Sequence, residues 1–262
     1  MKLHLHHAAL FCAATFLASF AYGQEDTGSV QLGYSQSRLS DNFPGWRDAF
    51  ARGNVNLGKK IGVLNWEASQ QKHFDETGQA VSASLTHDFS EDWYAMVGAG
   101  LGTGASFLTK RRIDLALNRK WLAQRQLITG VQFTASKASD GVHDDRSWQV
   151  SSSYYFDAPF VAELGFKRNT SNPGSVSTNR YYVAGTYGEN KKHYLSARYD
   201  TGKEGYLPQG ANVSAANFKS NVTTLTWRQW LSRSWGFEVQ AERYNNPFYR
   251  RNGVAASVFY DF

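Results

Sequence analysis

The feature that most constrains this chain is an alternation of apolar and polar residues, which repeats in short segments along its length. The clearest of these segments is the last one, residues 254–262. One of its faces is apolar and consists of Val254, Ala256, Val258, Tyr260 and Phe262. The other face carries Ala255, Ser257 and Asp261, with Phe259 as its only large apolar residue. A period of two with one apolar face predicts a β-strand that lies between two different environments.

Comparable segments recur and predict an all-β protein of about fourteen strands, with about twelve as the alternative count. After residue 23 the chain contains no apolar run of about 18 residues, which excludes a helical membrane protein. The mean hydropathy is −0.49 although 15% of the residues are aromatic. A transmembrane barrel combines these properties because only every second residue faces lipid. We therefore predict a transmembrane antiparallel up-and-down β-barrel, which must close because unpaired backbone groups are costly in hydrocarbon.

The amino-terminal residues have the organisation of a secretory signal peptide. Residues 8–20 are apolar apart from Thr15 and Ser19, and Ala21 and Gly23 are small residues at the positions that signal peptidase reads. We predict a signal peptide at residues 1–23 and an outer-membrane β-barrel domain at residues 24–262, located in a Gram-negative bacterium. The one cysteine, Cys12, lies in the signal peptide, so we expect neither a disulfide nor a thiolate metal site in the mature domain.

The charge of the chain bears on its partners. The net charge is +6, and the 28 Lys and Arg residues form no long basic run. This modest excess argues against nucleic acid and favours the anionic head groups of outer-membrane lipid and lipopolysaccharide. The clusters Lys110-Arg-Arg112 and Arg250-Arg251 lie at predicted external strand ends, where lipid phosphates are candidate ligands, although the alternation turns Arg112 inward.

Three segments carry a resemblance to known proteins. Residues 254–262 resemble the last strand of bacterial outer-membrane barrels, which ends in an aromatic residue that the barrel-assembly machinery reads. On this resemblance Tyr260 and Phe262 are the expected assembly signal. Together with Arg112-Ile-Asp-Leu-Ala-Leu117 and Tyr154-Tyr-Phe-Asp157, the closing segment resembles the YaiO family of outer-membrane β-barrel proteins. The resemblance implies no catalytic site and suggests a conduit for polysaccharide or small polar solutes.

The alternation also predicts which side chains face the lumen. The small or polar ones include Ser82, Ser84, Gly98, Gly100, Ser151, Ser153, Gly165 and Ser196. The charged candidates for lining the lumen are Arg52, Glu67, Arg112, Asp114, Glu163, Lys167, Arg198, Asp200, Glu238 and Glu242. One interpretation is a water-filled path for polar solutes or saccharide, since about fourteen strands enclose a lumen of intermediate width. In the other, opposite charges pair across the lumen and partly close it, leaving a structural or assembly-partner barrel in an envelope polysaccharide system.

The strand ends carry further expectations. We expect short periplasmic turns to alternate with longer external loops. All five prolines, at positions 44, 159, 173, 208 and 247, are expected in connections. Four tryptophans flank predicted short turns and are expected to form an interfacial girdle: Trp93, Trp121, Trp230 and Trp235. The face of the twelfth strand is ambiguous, because Val222 and Thr224 compete with Leu225 and Trp227 for the outward side.

Catalysis has one candidate, the segment 136–145. It contains Asp140, His143, Asp144 and Asp145, and a histidine near carboxylates at the barrel rim is suited to activating water in a hydrolase. A solvated loop without fixed geometry explains the same residues. His73 and His193 have no second metal ligand in register, and the glycine run 98–104 is not followed by a helix. We therefore expect no enzymatic activity, no metal and no cofactor.

Overall fold

The computed structural model describes residues 27–208 and 214–262 of the chain. The predicted signal peptide, residues 1–23, lies outside these residues. Fourteen antiparallel strands follow one another around a closed barrel, which confirms the predicted fold and strand count. The strands are β1 Gly28–Leu39, β2 Trp46–Asn56, β3 Val63–His73, β4 Glu76–Asp88, β5 Trp93–Thr103, β6 Thr109–Trp121, β7 Leu127–Ala138, β8 Asp144–Tyr155, β9 Phe160–Asn172, β10 Val176–Glu189, β11 His193–Pro208, β12 Ser214–Trp230, β13 Trp235–Asn245 and β14 Arg250–Asp261. Within the described residues, no helix has the length and apolar character needed to cross a membrane.

Closure of the barrel joins the first strand to the last. β1 pairs antiparallel with β14, in a register that places Ser29 opposite Asp261. At this end of the seam the carbonyl oxygen of Phe262 accepts hydrogen bonds from the backbone N–H groups of Thr27 (2.6 Å) and Gly28 (3.0 Å). An open edge would leave a row of backbone groups unpaired in hydrocarbon, and the seam removes that edge. We call the end that holds both termini of the barrel the periplasmic end, and the opposite end the external end.

The outward face of the strands is an apolar band. Its exposed side chains include Leu32, Val97, Leu115, Val150, Leu164, Val183, Leu195 and Val254. In β12, Leu225 and Trp227 are 55% and 44% exposed, whereas Val222 is 7% exposed. Leu225 and Trp227 therefore belong to the outward face, and Val222 points inward.

The expected alternation of short and long connections is wrong. The described connections are short at both ends of the barrel, because the strands extend further than predicted. The external connection between β3 and β4 is a two-residue turn whose residues Phe74 and Asp75 have positive φ angles of 49° and 70°. β7 and β8 likewise take up half of the segment 136–145. Strand pairing continues beyond the apolar band because the backbone ladder does not require apolar side chains.

Two smaller expectations fail at strand ends. Pro208 is the last residue of β11, not part of a connection, and its missing N–H is tolerated at that position. Trp230 is 8% exposed and donates an indole N–H to Asp261 Oδ2 at 2.8 Å, so it lies inside the barrel and outside the girdle. Trp121 and Trp235 are exposed at the periplasmic end, as a girdle requires.

Replacing Phe259 by alanine should destabilise the folded barrel. The Phe259 ring is 1% exposed, its centroid lies 3.5 Å from the Arg228 guanidinium carbon, and the Trp230 ring contacts it at 5.0 Å. We expect Phe259→Ala to lower the free energy of unfolding by about 3 kcal/mol or more, because the cavity remains inside a rigid wall. Urea unfolding of the refolded protein, followed by tryptophan fluorescence, measures this loss.

Phe262→Ala is the matched control for this experiment. The Phe262 side chain is 49% exposed, so its truncation should leave the free energy of unfolding nearly unchanged. We expect it to reduce insertion into the outer membrane instead, as measured by the amount of folded protein in membrane fractions. Equal losses of unfolding free energy in the two variants would contradict the different environments of the two rings.

Candidate functional site in the barrel lumen

The inward faces of β4 and β5 carry small side chains near the middle of the barrel. Ser82 and Ser84 of β4 stand opposite Gly100 and Gly98 of β5, and we call these four residues the small-residue wall. A methyl group built on Gly100 would meet its nearest neighbours at 3.5–3.9 Å, which is ordinary van der Waals contact. The three nearest atoms, which belong to Ser82, Val81 and Arg112, include no aromatic ring, so a small side chain fits at Gly100.

Other parts of the inner surface are covered by aromatic rings that lie against glycine. A methyl group on Gly33 would come within 2.3 Å of the Phe50 ring, and one on Gly165 within 2.2 Å of the Tyr182 ring. Glycine at these positions lets each ring lie flat against the barrel wall. The lumen is therefore asymmetric, with large inward side chains on some strands and the small-residue wall on β4 and β5.

A group of paired charges lines the inside of the seam. Arg52 Nη2 lies 2.8 Å from Glu238 Oε1, and Arg52 Nε donates to Gln31 Oε1 at 3.1 Å. Arg228 Nη1 lies 3.4 Å from the second carboxylate oxygen of Glu238. The pairs connect β2, β12 and β13 through the seam strands, so they reinforce closure from within.

Two further pairs lie on single strands. Arg112 and Asp114 of β6 are 2.6 Å apart, and Asp114 also accepts a hydrogen bond from Thr134 Oγ1 at 2.7 Å. Arg198 of β11 forms a bidentate pair with Asp200 at 2.7 and 2.8 Å, and its guanidinium carbon lies 3.7 Å from the Tyr182 ring centroid. These charges pair along the wall and do not reach across the lumen.

The remaining predicted lining residues occupy inward register positions on β3, β9 and β13. Glu67 stands opposite Ser82, Glu163 opposite Ser153, and Lys167 opposite Gln149. Glu242 forms an ion pair with Arg251. Neither Glu67 nor Glu163 forms an ion pair with another residue that the structure describes. The predicted set is therefore distributed over the inner surface, and its contact with a solute stays a prediction.

A cluster at the external end was not predicted. We name it the external aromatic cluster, and it consists of Phe43, Trp46, His73, Phe74, Phe107 and Tyr249. The His73 ring is sandwiched, with Trp46 at 4.1 Å on one side and Phe107 at 4.4 Å on the other, and both pairs are stacked. Phe74 contacts Phe43, Trp46 and Tyr249 with centroid distances of 5.8, 5.3 and 6.5 Å. The rings come from four external connections and adjoining strand ends, and they gather at the external end of the barrel.

Polar groups hold this cluster in place. His73 Nε2 lies 2.7 Å from Asp48 Oδ1, and Asp48 Oδ2 accepts a hydrogen bond from Ser35 Oγ at 2.9 Å.

Burial raises the pKa of the Tyr249 hydroxyl to about 12, so the hydroxyl stays neutral at physiological pH. A single His or Phe in a polar connection gives no periodic signal, so the sequence could not reveal that these rings meet.

Arg251 lies on the inner side of this cluster, which corrects one prediction. Its side chain is 3% exposed, pairs with Glu242, and places its guanidinium carbon 4.1 Å from the Trp46 ring centroid. Arg251 therefore cannot contact lipid, whereas its neighbour Arg250 faces outward. Alternation along β14 separates the two arginines.

The candidate catalytic residues do not form one group. His143 Nδ1 lies 2.6 Å from Asp140 Oδ2, and the backbone N–H groups of Val142 and His143 donate to Asp140 Oδ1. Burial by itself raises the pKa of Asp140, but these hydrogen bonds bring that pKa below its ordinary value. Asp144 and Asp145 instead accept hydrogen bonds from asparagine side chains of β9.

The His143–Asp140 pair is thus a local contact in the connection between β7 and β8. Within residues 27–208 and 214–262, no group of three or more His, Cys, Asp and Glu residues has the geometry of a metal site. The expectation that the protein is not an enzyme remains a prediction.

Comparison with known proteins concerns the barrel fold. The family model described as YaiO membrane beta barrel domain matches residues 27–207. Among curated proteins, none matches this chain.

Several solved structures share the fold at low sequence identity. The anion-selective porin from Comamonas acidovorans is 9% identical, with a TM-score of 0.51 over 91% of this chain and 99% of that one. The CymD monoaromatic hydrocarbon channel is 8% identical, with a TM-score of 0.57 over 91% of this chain and 88% of that one. A bacterial polysaccharide outer membrane secretin is 11% identical, with a TM-score of 0.52 over 92% of this chain and 100% of that one. At these identities the similarity is one of fold.

The inner surface yields a prediction about two glycines. Gly165→Ala would force the Tyr182 ring away from the wall and disturb the Arg198 contact, since the added methyl lies 2.2 Å from that ring. We expect a loss of about 1–3 kcal/mol in the free energy of unfolding, as for other overpacked sites. Gly100→Ala is the control and should be neutral or slightly stabilising, because its methyl has room. The urea concentrations at the unfolding midpoints of the two variants measure this difference in stability. Equal midpoints would contradict the conclusion that the added methyl group has room at Gly100 and not at Gly165.

Proposed function

The chain belongs to the YaiO membrane β-barrel family, and from this premise we propose that it is a passive channel for polar solutes or saccharides in the bacterial outer membrane. The small-residue wall carries this proposal. Ser82 and Ser84 offer hydroxyl groups, while Gly98 and Gly100 add no side-chain volume. Between eight strands, which side chains fill, and sixteen to eighteen, which leave a wide channel, about fourteen strands fit a narrow aqueous path.

The charges of the inner surface suit a neutral polar solute. Arg112 pairs with Asp114 and Arg198 pairs with Asp200. These parts of the inner surface therefore present hydrogen-bond donors and acceptors with little net charge. Saccharide hydroxyl groups both donate and accept hydrogen bonds and match such a surface. We infer that the path discriminates weakly between small anions and cations, and that no chemical step occurs in it.

The similar folds support passage as the role. They include a porin, a hydrocarbon channel and a polysaccharide secretin, which are named for passage of different solutes. Their agreement concerns the architecture, so the preference for saccharide rests on the hydroxyl and charge pattern of this lumen.

Two partners belong to the same proposal. Tyr260 and Phe262 are 51% and 49% exposed on the outward face of β14, where the barrel-assembly machinery has access to them during insertion. Outer-membrane lipid and lipopolysaccharide then surround the apolar band. We propose that the barrel-assembly machinery is a partner during insertion and that these lipids are partners of the assembled barrel.

Conductance measurements test the channel. Purified protein in planar lipid bilayers should show stepwise ion conductance, and Gly100→Trp should lower the step to roughly half or less by filling the path. The control is Ala99→Trp, which adds the same side chain to the outward face one residue away. Silent bilayers with a folded wild-type barrel, or equal effects of the two substitutions, would refute a path along this wall.

A closed barrel is the second candidate, and the external aromatic cluster favours it. The stack of Trp46, His73 and Phe107 lies over the external end of the barrel, on the side of the small-residue wall. In this alternative the protein is a structural or assembly partner in an envelope polysaccharide system. A rim hydrolase using His143 ranks third; it requires that His143→Ala abolish hydrolysis, and unchanged hydrolysis in that variant would refute it.

A double variant separates the two candidates. If the cluster closes the barrel, wild-type protein is silent in bilayers and Trp46→Ala with Phe107→Ala produces conductance, because two stacked rings are removed from the mouth. If the wall is an open path, wild-type protein conducts and the double variant changes the step only modestly. Trp148→Ala, which removes an outward ring that is 58% exposed, is the control and should have no effect in either case.

A further inference from the structure

Three arginines converge at the external end of the seam. Arg38 of β1, Arg243 of β13 and Arg250 of β14 line a cleft of about 300 Å³, together with Leu39, Ser40 and Asn252. We call this the arginine cleft. Asn252 stands opposite Arg38 on one side and opposite Arg243 on the other, so two strand spacings, about 10 Å, separate the two arginine backbones.

The arginine cleft lies on the outer surface of the barrel. Arg38 has the same parity along β1 as Leu32 and Tyr34, which are 61% and 50% exposed. Asn252 and Arg250 share the parity of Val254, which is 61% exposed. The cleft is therefore directly external to the apolar band, at the level where the head groups of the outer leaflet lie.

These arginines have no carboxylate partner in the part of the chain that the structure describes. None of Arg38, Arg243 and Arg250 belongs to an ion pair there. Asp41, the acid nearest to Arg38 in sequence, accepts a hydrogen bond from Ser40 Oγ, and Glu242, which precedes Arg243, pairs with Arg251. Ser40 in turn accepts a hydrogen bond from the Arg250 backbone N–H at 2.9 Å, which fixes the lip of the cleft.

This arrangement differs from that of the inward arginines. Arg52, Arg112, Arg180, Arg198 and Arg251 each have a carboxylate within an ion pair. Three guanidinium groups that line one cleft repel one another, so their convergence is unfavourable unless an anion lies between them. The contrast indicates that the missing negative charge comes from outside the chain.

We propose that the arginine cleft binds the phosphate groups of a phosphorylated glycolipid in the outer leaflet. Guanidinium groups bind phosphate in a bidentate manner, and three of them match a head group that carries more than one phosphate. Val254 and Tyr34 extend the surface toward the membrane and provide apolar contact for the acyl chains. A membrane lipid, unlike a free anion, engages both parts of this surface at once.

Binding of purified glycolipid tests the proposal. Full-length protein folded in detergent is titrated with bisphosphorylated lipid A and with dephosphorylated lipid A, and bound lipid is counted by native mass spectrometry. Wild-type protein should prefer the phosphorylated form, and the variant carrying R38Q, R243Q and R250Q should bind it about tenfold more weakly or worse, since charge-assisted hydrogen bonds are lost.

The matched control removes the same charge elsewhere. Arg146, Arg168 and Lys203 are also exposed on outward positions at the external end, on β8, β9 and β11. R146Q with R168Q and K203Q should change affinity by less than about threefold, because Lys203 lies two strands away from Arg168 and exposed charges that do not converge contribute little. Equal weakening by both triple variants would overturn the proposal and indicate diffuse attraction to a basic rim.

Two further outcomes also count against it. Equal binding of the dephosphorylated lipid would mean that acyl chains alone are recognised. Displacement of the lipid by equimolar inorganic phosphate would identify a site for free phosphate. If the variant carrying R38Q, R243Q and R250Q fails to assemble, the single substitution Arg243→Gln replaces it. The proposal then requires that Arg243→Gln lower the affinity for phosphorylated lipid A more than Arg146→Gln does.

Discussion

The structure depends on one constraint, the pairing of every backbone polar group inside hydrocarbon. β1 and β14 satisfy it by joining at the seam, where Phe262 accepts hydrogen bonds from Thr27 and Gly28. The strands are thereby fixed in number and register, and alternation then assigns each side chain to lipid or lumen. The small-residue wall, the inward charges and the outward arginines all follow from that assignment.

The inner surface shows how a barrel carries many charges without filling itself. Arg112 with Asp114, and Arg198 with Asp200, pair between residues two apart on one strand. Such pairs satisfy both ions while they lie against the wall, whereas pairs across the lumen would place side chains in the path. The inward glycines also keep side chains close to the wall, since Gly165 lets the Tyr182 ring lie flat against it.

The alternation of apolar and polar residues made the fold predictable. The incorrect predictions concern segments in which this alternation is absent. The face of β14 could be read because Val254, Val258 and Tyr260 repeat at every second residue, and the family resemblance agrees with the match to residues 27–207. The external end could not be predicted, because Phe74 and Phe107 belong to no alternating segment and join one cluster only through tertiary folding. Polar strand extensions were mistaken for loops for the same reason, as in segment 136–145. The inward positions of the charged residues follow from parity, but their partners depend on strand register, which sequence patterns do not specify.

The seam has a consequence for how such a chain changes over time. Residues 29–39 contact residues 251–261 directly, although they lie at opposite ends of the sequence. A substitution near the start of the domain therefore acts directly on residues near its end, since Gln31 donates a hydrogen bond to Ser257 at 2.6 Å. Closure of the sheet into a circle thus leads us to expect correlated variation between the two ends of the gene, stronger than that between its middle and either end.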